Sequence, residues 1–558
     1  MSEDDNQGCG GSQDTLHRSD RARRPPVEYW RPVSLVAHEA PMTYVQAVQG
    51  QESAKSRIAM DEEMEAIRKN KTWRLTDRPA SRRVLKVKWV YKVKNEVLKN
   101  GNNTTRHKAR LCFMGNRQIK GVDFNETFAP VAKFTTIRCI LALTAANGWE
   151  LHQMDVKTAF LNGDLDEEVY MEQPDGYDDP TYPHKVCWLL QALYGLKQAP
   201  KMWYAKLKDF LKSQGFDNID PDACLYLLMD EDEVIIVLVY VDDLLLVASS
   251  LAAIYKIKKA LHERFEMKDL GEAKVILGLE IRRDKTLGTL KLSQGKYAAQ
   301  VLEKFGMAEC KPIGTPLEVG LQLGKADDSD DALPYRDAVG SVMYLMLRTR
   351  PDLAFAIGKL SRFVSCYGKE HWASIKRVLR YVKGLLDKGL VFDENSSCVL
   401  QGFGDADWAG DHETRRSTTG FTFIFGGAAV SWGSKLQKTV ALPTMEAEYM
   451  ALCEASKEAV WLNKLVKSVA SHGLRTAILA GPINIKVDNR GCIDFSKNPV
   501  EHKRTKHIDI RYHVVREAIT TDKVTLKHCA TDDMVADPIT KELGKTKHDK
   551  HVKATGLC

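Results

Sequence analysis

The chain has 558 residues, which is long enough for three or four domains with separate hydrophobic cores. Hydrophobic residues make up 44% and charged residues 28% of it, an ordinary composition for a soluble globular protein. The net charge of +7 permits a polyanionic partner without requiring one. The 12 cysteines include no CxxC pair, which argues against a zinc finger and favours free thiols in a reducing compartment.

Residues 1–35 are polar and lack hydrophobic periodicity. We expect a disordered tail or linker there, and no signal peptide. The most apolar run, Val234–Ala248, is too short to cross a bilayer and is interrupted by Asp242 and Asp243. No membrane segment is therefore predicted.

A basic β-hairpin is predicted near residue 100. Residues 84–94 alternate between apolar and basic side chains, which indicates a half-buried strand whose other face carries Lys86, Lys88, Lys92 and Lys94. A turn signal at 100–103 and the segment 106–114 predict the returning strand. Between residues 82 and 120 there are twelve basic residues and one acidic residue. Lysines can merely protect a strand edge, but this density favours a phosphate-binding surface.

The remaining elements are predicted from apolar spacing. Met60, Met64 and Ile67 share one helical stripe. In chain order, we then expect a strand ending at Asp155, two apolar strands flanking Asp242 and Asp243, a helix over 296–305, a helix-rich segment over 335–384, a strand ending at Asp405, a hairpin over 419–432, a long helix over 445–469, a strand ending at Asp488, a helix over 508–519 and a strand over 524–529.

The pair Asp242–Asp243 between two apolar strands needs an explanation, because burying an unpaired charge costs several kcal/mol, roughly. Exposing both residues at the tip of a tight hairpin would remove much of that cost. Alternatively, the pair holds Mg²⁺, a hard cation that prefers oxygen ligands. Two such ions could activate a primer 3′-hydroxyl and stabilise the departing pyrophosphate, with Asp155 as a third ligand.

Three motifs in this region resemble those of copia-type reverse transcriptases. They are QMDVKTAFLNG at 153–163, LYGLKQAP at 193–200 and YVDD at 240–243. The resemblance implies a right-hand polymerase of fingers, palm and thumb, in which Asp155, Asp242 and Asp243 bind the catalytic metals. It also assigns four substrate-binding residues: Lys108 and Arg110 to the incoming triphosphate, Gln198 to the nucleotide pocket and Phe160 to a steric gate. A purely structural role as a core aromatic is the alternative for Phe160.

Four later segments resemble the ribonuclease H motifs of the same elements: 404–410, 446–452, 486–489 and 534–538. The resemblance implies that Asp405, Glu448, Asp488 and Asp537 bind metal. Asp407 and Glu446 are the competing candidates for the first two places; the strand end favours Asp405, and the Ala-Glu-Tyr register favours Glu448. The basic cluster from His502 to His507 is expected to bind a substrate phosphate at a helix N-terminus rather than a metal.

The resemblance implies an α/β and α+β multidomain fold: fingers and palm over 36–275, a thumb and connection region over 276–395, a ribonuclease H-like α/β domain over 396–542 and a C-terminal tail over 543–558. The implied activities are RNA-directed DNA polymerase and ribonuclease H, with Mg²⁺ or Mn²⁺ as cofactor. The implied partners are an RNA template, a DNA primer strand, an RNA–DNA hybrid, dNTPs, a priming tRNA, a Gag particle and an integrase, in a cytoplasmic virus-like particle with access to the nucleus.

Two rival interpretations remain open. One is a catalytically inactive remnant that only binds nucleic acid, against which stands the presence of all seven expected carboxylates. The other is a DNA-templated polymerase with an unrelated nuclease, which fits the motifs poorly.

Overall fold

The computed structural model describes residues 40–97, 103–230, 233–327, 330–470, 481–497 and 509–558. The expected tail at 1–35, most of the turn at 100–103 and the cluster from His502 to His507 lie outside the described residues. All described residues belong to one unit, Val36–Cys558. The domain boundaries at 275, 395 and 542 stay a prediction.

The first elements follow the predicted spacing of apolar residues. Met60, Met64 and Ile67 are buried on α2, and β3 and β4 pair as the predicted antiparallel hairpin. The bounds are α1 Tyr44–Gln49, α2 Ser53–Lys69, β1 Trp73–Thr76, β2 Val84–Leu85, β3 Val87–Val97 and β4 Asn103–Phe113.

A six-stranded antiparallel sheet, called here the central sheet, follows in the order β12-β5-β11-β10-β9-β8. Its middle strands are apolar on both faces, as expected of a sheet that is buried on both sides, and α5 packs against β5, β10, β11 and β12. The bounds are α3 Phe134–Ala146, β5 Glu150–Val156, β6 Asp164–Met171, β7 Val186–Gln191, α4 Ala199–Ser213, β8 Asp217–Asn218, β9 Leu225–Asp230, β10 Glu233–Tyr240, β11 Asp243–Ala248, α5 Leu251–Arg264 and β12 Met267–Glu272.

The predicted strand over 84–94 is divided at Lys86. β2 joins a four-stranded sheet of order β1-β7-β6-β2, whereas β3 pairs with β4. The alternation of side chains continues across the break, so the period of two gave no sign of it.

The middle of the chain combines a four-stranded sheet of order β13-β14-β15-β16 with four helices that share a hydrophobic core of their own. This confirms the helix predicted over 296–305 and the helix-rich segment over 335–384. The bounds are β13 Val275–Ile276, β14 Leu279–Asp284, β15 Thr289–Ser293, α6 Gly295–Lys304, α7 Tyr335–Arg348, α8 Ala354–Leu360, α9 Lys369–Lys383 and β16 Gly389–Asp393.

The last part forms a five-stranded sheet, called here the C-terminal sheet, in the order β19-β18-β17-β20-β21. β20 is parallel to both of its neighbours, whereas β18 is antiparallel to both of its own. The bounds are β17 Gln401–Asp407, β18 Thr418–Phe425, β19 Ala428–Leu436, α10 Thr444–Ala470, β20 Ile483–Val487, α11 Arg490–Lys497, α12 Asp509–Thr520, β21 Val524–His528 and α13 Lys545–Ala554.

Residues 543–558, which we expected to be a tail, are part of the fold. They contain α13, and Leu557 pairs with Leu390 of β16. The amide of Gly389 donates to the carbonyl of Cys558, and the amide of Cys558 donates back to Gly389, both at 2.9 Å. This pairing attaches the end of the chain to the middle sheet. Within the described residues, no helix is both long and apolar enough to cross a membrane.

Candidate functional site

The hairpin of β10 and β11 presents the first carboxylate pair at a strained turn. Val241 has a φ of 60°, a left-handed conformation that costs a β-branched residue on the order of 1–3 kcal/mol. Two hydrogen bonds hold the turn: the indole of Trp203 donates to the Val241 carbonyl at 2.7 Å, and the Val156 amide donates to the Asp242 carbonyl at 2.9 Å. The turn is therefore held both by α4 and by the end of the neighbouring strand β5.

Asp155 lies directly opposite Asp243 in the pairing of β5 with β11. The side-chain amide of Gln153 donates to Oδ1 of Asp243 at 3.0 Å, and Asp242 is exposed at the turn. The three predicted carboxylates therefore share one edge of the central sheet, at the surface. Within the part of the chain that the structure describes, their oxygens do not form a group within 4.8 Å of one another.

Arg110 of β4 reaches toward this edge from the hairpin. Its Nη1 donates to Oε2 of the buried Glu63 at 2.6 Å, and its guanidinium carbon lies 5.2 Å from the centre of the Tyr194 ring. The ring of Phe160 stands edge-on to the same tyrosine, with centroids 5.0 Å apart. Burial raises the pKa of Tyr194 to about 12, and Asp242 adds to the rise. Arg110, Phe160 and Asp242 are thus brought together around one tyrosine.

Lys108 is half-buried on β4, two residues before Arg110 and on the same face of the strand. Burial raises the pKa of Glu63, while Arg110 and Lys108 act to lower it. Glu63 was not predicted from the sequence. The only sign of its importance was that an acidic residue falls on the buried face of α2.

Gln198 lies inside the protein, with 0% of its surface exposed. Its amide nitrogen donates to the Asp123 carbonyl at 3.0 Å, and its amide oxygen accepts from Gln118 at 3.0 Å. In this structure Gln198 therefore fastens the segment around residues 118–123 to the start of α4 rather than facing an open pocket.

The second predicted set forms a compact carboxylate cluster at one end of the C-terminal sheet. Asp405 of β17, Glu448 of α10 and Asp488, which follows β20, each place an oxygen within 4.8 Å of the other two. Burial and the two aspartates raise the pKa of Glu448 well above its ordinary value. Its Oε2 is buried without a hydrogen-bond partner among the described residues.

Asp537 adjoins this cluster through a lysine that sequence reasoning did not identify. Nζ of Lys541 lies 2.9 Å from Oδ1 of Asp537 and 3.5 Å from Oδ2 of Asp405. The hydroxyl of Thr540 also donates to Oδ2 of Asp405. Burial raises the pKa of both aspartates, although Lys541 acts to lower it. The available signal was a lysine four residues after Asp537.

The structure separates the competing candidates. Oε2 of Glu446 accepts a hydrogen bond from the Leu442 amide at 3.0 Å, which directs it to the loop before α10, and Glu446 is not in the cluster. Asp407 also lies outside the cluster, and burial raises its pKa to about 6. Asp405 and Glu448 are thus the two candidates that lie in the cluster, although β17 ends at Asp407 and not, as the sequence predicted, at Asp405. Their assignment as metal ligands stays a prediction.

The cluster fits a hard divalent cation. All its donors are carboxylate oxygens, which Mg²⁺ and Mn²⁺ prefer. Three carboxylates this close repel one another unless protons or cations intervene, and the unpartnered oxygen of Glu448 supplies a further vacant donor. At the edge of the central sheet, Asp155, Asp242 and Asp243 offer the same donor chemistry.

A family model described as reverse transcriptase (RNA-dependent DNA polymerase) matches residues 70–319. The chain is 43% identical to the retrovirus-related Pol polyprotein from transposon TNT 1-94 of Nicotiana tabacum, over 97% of this chain and 41% of that protein. It is 36% identical to the corresponding polyprotein from transposon RE1 of Arabidopsis thaliana, over 96% of this chain and 36% of that protein. It is also 34% identical to the putative transposon Ty5-1 protein of Saccharomyces cerevisiae, over 55% of this chain and all of that protein.

The chain therefore spans about two fifths of the length of the two plant polyproteins. The match to the shorter yeast protein is complete, and the matched family region contains the YVDD hairpin and its partner strand. On these grounds the chain belongs to the copia-type family of retrovirus-related Pol polyproteins from transposons and contains its reverse transcriptase domain.

Proposed function

We propose that this chain copies RNA into DNA and hydrolyses the RNA strand of the resulting hybrid, using Mg²⁺ or Mn²⁺ at two separate carboxylate sites. The observation that carries the proposal is the presence of two acidic sites in one fold. One lies at the edge of the central sheet within the matched reverse transcriptase region, and the other is the buried cluster of Asp405, Glu448 and Asp488.

At the first site, Asp155, Asp242 and Asp243 would hold the metal ions. Lys108 and Arg110 bind the triphosphate of the incoming dNTP, since their cationic side chains suit phosphate oxygens. The primer 3′-hydroxyl attacks the α-phosphate, and pyrophosphate leaves. Phe160 excludes ribonucleotides by contact with the sugar. Gln198 supports this site from within by holding neighbouring chain in place.

At the second site, Asp405, Glu448, Asp488 and Asp537 would hold the metal ions. Water attacks a phosphodiester of the RNA strand, and the 3′-oxygen leaves. Bound divalent cations supply activation of the attacking oxygen and stabilisation of the leaving oxygen at both sites. Thr540 orients Asp405, and Lys541 offsets part of the negative charge.

The substrates follow from these reactions: an RNA template, a DNA primer strand, dNTPs and an RNA–DNA hybrid. A priming tRNA, a Gag particle in the cytoplasm and an integrase are further partners inferred from the copia-type resemblance. The basic hairpin supports nucleic-acid binding, because it places exposed lysines beside Arg110.

The test measures primer extension and hybrid cleavage on the same preparations of the full chain. We expect Asp242→Asn to abolish extension and leave cleavage intact, and Glu448→Gln to do the reverse, because Asp242 belongs to the site at the central sheet and Glu448 to the cluster at the C-terminal sheet. Glu446→Gln is the matched control for Glu448, since both glutamates are buried on α10. Loss of both activities in one folded variant would contradict two independent sites, and absence of both in the wild-type chain would contradict the proposed function.

A further inference from the structure

Lys541 occupies an unusual position between two buried carboxylates of the second site. Its ammonium contacts Asp537 at 2.9 Å and Asp405 at 3.5 Å, and the side chains of these partners are 4% and 1% exposed. The lysine is 30% exposed, so it approaches the pair from the solvent side. Its ammonium thus lies between carboxylate oxygens from two distant parts of the chain, a position that favours a cation.

The charges explain why. Asp405, Glu448, Asp488 and Asp537 bring four carboxylates together, three of them within 4.8 Å of one another. Among the described residues, Lys541 is the one basic side chain that forms an ion pair with any of these four carboxylates. Without it, the site would carry only negative charge in surroundings that strengthen repulsion.

We propose that Lys541 is a displaceable counter-cation, which holds Asp405 and Asp537 together in the metal-free protein and competes with a divalent cation for that same pair. The inference rests on the proposed function, which assigns these carboxylates to metal ions. The exchange is one cation for another and breaks no covalent bond. Its consequence is that Lys541 sets the metal concentration at which this site fills.

The direct test measures Mn²⁺ binding to the metal-free full chain, with the concentration of free Mn²⁺ read by electron paramagnetic resonance. We expect Lys541→Met to tighten one class of Mn²⁺ sites by about 10-fold, because a unit charge within 4 Å of the ligands is removed. Lys541→Arg keeps the charge and should bind Mn²⁺ as the wild type does. Glu448→Gln identifies the affected class, because it should weaken that class alone.

Lys553→Met is the matched control, since it removes an equal charge from an exposed position on α13. It should leave Mn²⁺ binding unchanged. An affinity that stays the same or falls in Lys541→Met would overturn the proposal.

Thermal unfolding separates this role from a merely structural one. Lys541→Met should lower Tm in EDTA. Added Mn²⁺ should then raise the Tm of this variant by more than it raises the Tm of the wild type. Equal losses of Tm with and without Mn²⁺ would mean that the lysine only supports the fold.

The outcomes also distinguish this inference from the proposed function. Hybrid cleavage with unchanged Mn²⁺ affinity in Lys541→Met would reject the counter-cation and keep the ribonuclease H function. Tighter Mn²⁺ binding by Lys541→Met, in a chain whose wild type cleaves no hybrid, would keep the counter-cation and reject the ribonuclease H function.

Discussion

Phe160 is held by two sets of neighbours at once. It packs against the hydrophobic cluster of the central sheet and against the separate cluster that includes α2 and β4. The edge-on contact with Tyr194 further restricts its ring. A ring fixed in this way suits steric exclusion of a 2′-hydroxyl, because it cannot easily move aside.

We predict that Phe160→Val raises the use of ribonucleotides relative to deoxynucleotides by about 10-fold or more, a differential of about 1.4 kcal/mol in transition-state binding. The measurement is the ratio of kcat/KM for a matched rNTP and dNTP on one primer–template. Phe160→Tyr keeps the ring and should keep the ratio. If Phe160 is only a core residue, both substrates should lose activity in proportion and the ratio should not move.

Single residues at the second site were predictable only where a motif surrounded them. Glu446 and Glu448 are both buried on α10, so burial does not tell them apart, whereas their registers point them to different partners. Lys541 had no motif of its own, and its role depends on Asp405, which is 136 positions away in sequence. Contacts between such distant residues depend on tertiary packing, to which local spacing gives no access.

The basic hairpin is the element whose chemistry was clearest from sequence. Trp89 of β3 and Leu111 of β4 are buried, while Lys86, Lys88 and Lys92 are exposed, as the alternation predicted. β3 and β4 pair only with each other among the described strands, so each keeps one open edge that lysines could protect. Nucleic-acid binding, favoured by the density of basic residues, and edge protection therefore differ in the salt dependence that each predicts.

Replacing Lys86, Lys88 and Lys92 with Gln should weaken template–primer binding and flatten its dependence on salt, because fewer counterions are released. Each lost phosphate contact should reduce the slope of log K against log salt concentration by roughly 0.7–0.9. The matched control replaces three exposed lysines elsewhere, Lys464, Lys467 and Lys553, for the same change in net charge. An unchanged slope in the hairpin variant would return these lysines to the role of edge protection.

Among the helices, α3 shows where pattern reasoning stops. Every residue from Thr136 to Ala145 is buried, so the helix has no polar face and no period to detect. α13 fails in the opposite sense, because its buried residues are His548, His551 and Val552 among lysines. The spacing of apolar residues predicts elements that bury one apolar face and expose one polar face. Neither α3 nor α13 is an element of that kind.

At the scale of the whole molecule, one hydrophobic cluster extends beneath both acidic sites. It contains Met154, next to Asp155, and Tyr449, next to Glu448, and both are fully buried. Polar contacts reinforce it: the indole of Trp461 on α10 donates to the Pro221 carbonyl at 3.1 Å. The two sites are therefore joined through a shared core, although their carboxylates are separate.

Arg138 is a buried side chain that links α3 to the C-terminal sheet and to the end of α7. Its Nε donates to the Val430 carbonyl at 2.6 Å, its Nη1 donates to the Arg348 carbonyl at 2.9 Å, and its guanidinium carbon lies 4.0 Å from the Trp432 ring centre. Burial lowers the pKa of Arg138 to about 9, which still leaves it protonated near neutral pH. Three elements thus depend on one charged side chain.

We predict that Arg138→Met destabilises the fold by about 2–4 kcal/mol, because it leaves buried carbonyls on two elements without their donor. Primer extension and hybrid cleavage should then be lost together at a lower temperature than in the wild type, since both sites rest on the same core. The measurement is residual activity in both assays after graded heating, alongside thermal unfolding.

Arg74→Met is the matched control: Arg74 also lies over a tryptophan, 3.9 Å from the Trp188 ring centre, but it is exposed. That substitution should cost only about 0.5–1 kcal/mol. Loss of the two activities at clearly different temperatures would show that the two sheets unfold independently of each other.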